Sequence, residues 1–150
     1  MRIAHTLSVS IALAAYCGLA LPQTSHYTAS SKAQGAPFDL VVTEVKREPQ
    51  KSYLQVPGFH NRTAPGARWL MCAYTDLAVK RGFTHWSVMS PEDDKDILVL
   101  AFSNSASTAP EVLFGSDFNK ERVVGQGMMP VTKLLAFCGM KPREVPELER

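Results

Sequence analysis

The chain has 150 residues, 45% hydrophobic and 20% charged, with a formal net charge of +2. This is room for one ordinary domain with a real core, and it leaves no space for a second. The balance is too mild for a nucleic-acid or anionic-membrane surface, and no Lys/Arg run exceeds the pairs Lys46-Arg47 and Lys80-Arg81.

In chain order, Met1-Arg2 with His5 is a short basic start, and Leu7 to Leu21 is a nearly unbroken run of apolar and small residues. The run is shorter than the roughly 20 residues that span a bilayer, so residues 1–20 read as a secretory signal peptide. Gly18 and Ala20 supply the small residues for a cut before Leu21. Cys17 offers a rival ending, lipidation at that cysteine. The bulky Tyr16 before it disfavours this, and plain cleavage is the preferred reading. Either way the mature domain lies outside the cytoplasm, and the membrane is a partner only through that N-terminal lipid.

Residues 21–37 are rich in Ser, Thr, Ala and Gln without apolar period, which predicts a flexible tether. A single domain over 38–140 then opens with a hairpin. Leu40, Val41, Val42 and Val45 lie in its first strand and Tyr53, Leu54 and Val56 in its second, with Glu48-Pro49-Gln50 between them.

Thr63 to Met89 organises the rest: an amphipathic helix that stops at Gly82 and turns into a strand. Thr63-Ala64 stand where an N-cap belongs, Pro65 suits the first turn, and Lys80-Arg81 bring positive charge to the last carbonyls. Leu70, Ala73 and Leu77, with Trp69 and Tyr74 at the edges, form one apolar face that a sheet would cover. Phe83 to Met89 alternates as a strand. Residues 90–96 form a polar, acidic turn lacking the oxygen-ligand period of a calcium loop. Ile97 to Phe102 is apolar on both faces, a central strand. Glu111 to Phe114 reads as a short edge strand, and 115–127 gives no clear pattern. Val131, Leu134, Leu135 and Cys138 favour a short helix after Pro130, although Leu134 to Cys138 alone would also pass as a strand. Residues 141–150 carry two prolines and alternating charge, and read as a disordered tail. The fold class is α+β, a two-layer sandwich in which a small, mostly antiparallel sheet packs on one central helix.

Once processing has removed or consumed Cys17, Cys72 and Cys138 remain as the available intramolecular pair, and an oxidising compartment favours their disulfide over two buried thiols. Neither belongs to a CxxC pair. His60 or His85 with Asp76 offers an acid–base or metal-binding alternative, but no histidine spacing is that of a metal motif and a solvated Asp76 is the stronger reading. Met71, Met89, Met128, Met129 and Met140 are irregularly spaced and better read as core filling than as soft-metal ligands. No Gly-rich phosphate loop or nucleophile motif occurs, so no catalytic residue, cofactor or metal is called for.

Ala67 to Trp86, ARWLMCAYTDLAVKRGFTHW, together with the export signal and polar tether, resembles small bacterial envelope lipoproteins and periplasmic proteins. It is also distantly similar to the helix–Gly–strand core of outer-membrane stress-sensor lipoproteins. The resemblance implies a two-layer α+β domain in the periplasm or at the outer membrane and carries over no catalytic residues. The expected function is that of a non-catalytic envelope protein binding a protein or cell-wall component through a sheet edge or aromatic patch; the alternative is a hydrolase or metal-binding protein built on His60, His85 and Asp76.

Overall fold

A computed structural model describes residues 26–91 and 96–140. Residues 1–25, where the signal peptide and Cys17 were expected, 92–95 in the acidic turn and the expected tail over 141–150 lie outside the described residues. Six strands, β1 (Thr28–Ser30), β2 (Val41–Glu48), β3 (Lys51–Gln55), β4 (His85–Met89), β5 (Ile97–Ser103) and β6 (Val123–Pro130), form one sheet. Their order is β1-β2-β3-β5-β4-β6, and every neighbouring pair is antiparallel. Helices α1 (Ala64–Lys80) and α3 (Val131–Phe137) cover one face. The architecture is α+β.

The long helix is fixed at both ends by local chemistry. Thr63 Oγ1 accepts the Gly66 N–H at 3.3 Å, and Pro65 sits in the first turn where its missing donor costs nothing. At the other end Phe83 N–H reaches the Ala78 carbonyl and Gly82 N–H reaches that of Val79, both at 2.9 Å. This pair of bonds needs a left-handed residue between them, and Gly82 has φ +78°. Gly82→Ala is therefore expected to cost about 1 kcal/mol through backbone strain alone, read as a lower denaturant midpoint at unchanged slope. Leu70, Ala73, Tyr74, Leu77 and Ala78 make the buried stripe, which packs on Val42, Leu54, Val88, Leu98, Leu100 and Phe102.

The central strand is β5. Leu98, Leu100 and Phe102 point to α1, while Val99 and Ala101 join Met89 beneath Leu113 and Phe114 of a third helix, α2 (Pro110–Phe114). Residues 111–114 are thus helical and not an edge strand, because Pro110 occupies a first-turn position and the two apolar residues cap the sheet's second face. The methionines fill both cores, Met71, Met129 and Met140 on the α1 side and Met89 and Met128 on the other.

The flexible tether is corrected by the structure over its second half. Tyr27 and Ala29 are buried, and β1 pairs with β2 from Thr28 opposite Thr43 to Ser30 opposite Val41. Ser31 Oγ then donates to the Phe38 carbonyl and accepts the Leu40 N–H, both at 2.8 Å, and Trp69 Nε1 donates to Gln34 Oε1 at 2.7 Å. These bonds give the segment a fixed course despite its polar composition. The folded unit therefore begins before Phe38.

At the C-terminal end of α1 the helix, β1 and the β2–β3 hairpin meet in a buried polar network. A bulge between Glu44 and Lys46 turns Val45 outward, and Glu44 is only 1% exposed. Its two oxygens accept from Arg47 Nε at 2.9 Å, from Ser52 Oγ at 2.6 Å, from the Tyr27 N–H at 3.2 Å and from the second Arg47 nitrogen. Arg81 was expected to serve its own helix's carbonyls, but it reaches across instead. It donates to Ser52 Oγ and to the carbonyls of Lys51, Glu48 and Pro49, with its guanidinium 4.7 Å from the Phe102 ring centre. This clamp gives the carbonyls of Glu48, Pro49 and Lys51 at the hairpin turn a charged donor.

A candidate apolar binding pocket

His60, His85 and Asp76 do not converge. His60 is exposed in a single helical turn before α1 (Phe59–Asn61), edge-on to Phe59. Asp76, four turns along the helix, pairs with Lys80 at 2.8 Å. His85 bonds Thr84 Oγ1 at 2.9 Å, and burial lowers its pKa, favouring the neutral ring. The next residue in β4, Trp86, points to α1 and donates to Thr75 Oγ1 at 3.1 Å, so His85 faces the opposite side of the sheet from Asp76. No hydrogen bond joins the three, and no group of three His, Cys, Asp or Glu side chains stands at metal-binding distance among the described residues.

Cys72 and Cys138 do meet. Their sulfurs are bonded, with Cα atoms 5.4 Å apart, and the link joins the middle of α1 to the end of α3. Val131 to Phe137 is the helix that the apolar spacing favoured.

Between α1 and the far end of the sheet lies an apolar cavity of about 160 Å³. Leu70, Met71 and Tyr74 form its helix wall, Trp86 and Val88 its floor, and Val124, Gly125 and Met129 its outer rim. The opening is created by β6. Trp86 pairs with Met129 and Val88 with Val124, so four residues of β6 stand against the single Ser87 of β4. Gly125 and Gly127 absorb this arch with φ +91° and +69°, a course closed to residues bearing a Cβ.

Two of the lining residues, Tyr74 and Arg62, carry polar groups. Tyr74 is 3% exposed and stacks edge-on against Trp86, with ring centres 5.5 Å apart, yet its hydroxyl has no partner among the described residues. Burial pushes the phenol's pKa up while the Arg62 charge pulls it down, so the hydroxyl is a neutral donor. Arg62 stands at the rim, 3.8 Å over the Phe59 ring and donating to the Phe59 carbonyl at 2.7 Å; it pairs with no carboxylate among the described residues. An unpaired buried hydroxyl costs about 1–3 kcal/mol, a debt that folding alone leaves open.

The sequence places Tyr74 at the edge of an apolar stripe and Arg62 in a loop, and neither was singled out for function. A tyrosine on a helix face meant for burial is the available signal, because its hydroxyl must find a partner there. The arch in β6 has only its paired glycines as a trace.

No family model, curated protein or solved structure matches the chain. No helix among the described residues is long and apolar enough to cross a membrane.

Proposed function

We propose that the protein is a non-catalytic, extracytoplasmic module of the cell envelope, periplasmic or outer-membrane associated, which holds an apolar group of a protein or cell-wall partner in the pocket beneath β6. The observation that carries this reading is the pocket's chemistry: a cavity open on one side and lined almost wholly by apolar side chains, with Arg62 among its lining residues. The Cys72–Cys138 bond supports an oxidising compartment. The hydrolase or metal-binding alternative loses its support, since its three residues lie on separate surfaces.

Ala67 lines the mouth of the pocket on α1, half-buried. Ala67→Trp is expected to fill the cavity while leaving the melting temperature within a few degrees of the parent. Capture from solubilised native envelope, quantified side by side, should then recover a component with the parent that the filled variant loses. Equal recovery by both proteins would show that the pocket is not the binding site.

A further inference from the structure

We propose that Met71 and Met129 make the pocket sensitive to peroxide: oxidation of these two thioethers to sulfoxides lowers its hold on an apolar group. The inference rests on the reading of this cavity as the binding site and adds how that site is regulated. Met71 lines the cavity from α1 and Met129 from β6, and both are half-buried, so a small oxidant entering the mouth reaches both side chains. Cys72 and Cys138 are already oxidised to each other, which leaves thioethers as the oxidisable sulfurs among the described residues. Met89 provides the contrast: it is fully buried in the second core, and its sulfur accepts the Asn119 N–H at 3.4 Å.

A thioether suits this wall because it is apolar, unbranched and polarisable, and adapts to the group it holds. The same sulfur attacks one oxygen of hydrogen peroxide; the O–O bond breaks, that oxygen stays on sulfur, and its proton passes to the other, which leaves as water. Sulfur gives up two electrons and the peroxide takes them, so no further reactant is needed. The product carries a strong acceptor where Leu70, Val88 and Val124 offer no side-chain donor. An apolar occupant strips water from that oxygen without replacing its hydrogen bonds, and this opposes entry. Met128 and Met140 are half-buried too, but neither lines the cavity, and their oxidation leaves its wall apolar.

The test uses disulfide-intact protein carrying Met128→Leu and Met140→Leu, treated with millimolar hydrogen peroxide and followed by peptide mass mapping. Met71 and Met129 are each expected to gain one oxygen about tenfold faster than Met89, or more. Benzene then reports on the cavity, since about 160 Å³ matches the roughly 150 Å³ that takes up one benzene; amide shifts of Leu70, Trp86 and Val88 are the readout. Its dissociation constant is expected to rise about tenfold on oxidation. A further protein with Met71→Leu and Met129→Leu, whatever its own affinity, should return the same value before and after peroxide. If Met89 oxidises as fast as the pair, or if oxidised protein takes up benzene as tightly as before, the peroxide sensitivity is overturned while the pocket stands. A loss of affinity that persists in the Met71→Leu, Met129→Leu protein assigns the effect to another group and overturns it as well. If benzene at saturation leaves the amides of the unoxidised protein unmoved, the binding reading falls, and the regulation with it.

Discussion

Reduction of the Cys72–Cys138 bond is expected to lower stability by about 4 kcal/mol, because in the chain-entropy model the unfolded chain is released from a loop with a sequence separation of 66 residues. For a domain whose total is about 5–15 kcal/mol this is a large share. The melting temperature should fall by on the order of 10–20 °C. Cys138→Ala should reproduce the drop, and the reduced parent should then melt close to the variant. An intact mass of the protein from its native host reads two further points together. It shows whether the chain starts at Leu21, bears a lipid on Cys17 or still begins at Met1, which would defeat both processing readings, and whether two hydrogens are missing from the cysteine pair. Two titratable thiols in freshly denatured, unreduced protein would defeat the prediction.

Stability should also fall as the solution is acidified, and Glu44 should dominate the fall. Burial pushes its carboxyl upward, but the bonds from Arg47, Ser52 and the Tyr27 N–H, with the Arg47 charge, outweigh it and hold the pKa at about 2 against an ordinary 4.5. The native state therefore binds fewer protons than the unfolded chain across this interval. The contribution is fully present above about pH 4.5 and is lost as pH falls through 2, with a magnitude on the order of 3 kcal/mol. Glu48, held low by Lys46 and then Lys51, titrates over the same range, but it lies at the surface and salt screens it. Melts in high salt isolate the buried group. Glu44→Gln should lose most of the acid-dependent slope and about 2–3 kcal/mol near neutrality, since an amide cannot receive Arg47 on both atoms. A slope unchanged by this substitution would assign the acid limb to other carboxylates.

The parts of the fold that could be read from residues alone are those whose signals are local and repeated. Helix α1 carries its own cap, its first-turn proline, an apolar stripe from Trp69 to Leu77 and a terminal glycine, so its course was evident before its surroundings were known. The strand from Ile97 was equally plain, since six consecutive apolar residues demand cover on both faces. Strand β1 was missed because it is three residues long, and its stability comes from bonds to distant Glu44 and Leu40 instead of from its own composition. Helix α2 was misread because five residues do not complete two turns, which leaves periodicity nothing to count. The pocket was invisible for a further reason. It depends on a four-against-one mismatch between β6 and β4, a property of strand register that no single stretch of sequence displays.

The two borders of the sheet bear on how the protein behaves in a crowded compartment. One is a three-residue strand, and the other is interrupted by the arch at Gly125 to Met128. Neither border offers an incoming chain more than a short straight row of free amides and carbonyls, so end-to-end growth of sheets from molecule to molecule is denied a template. The glycines that open the cavity thus also guard against polymerisation: straightening β6 would close the pocket and expose a continuous adhesive edge in the same step.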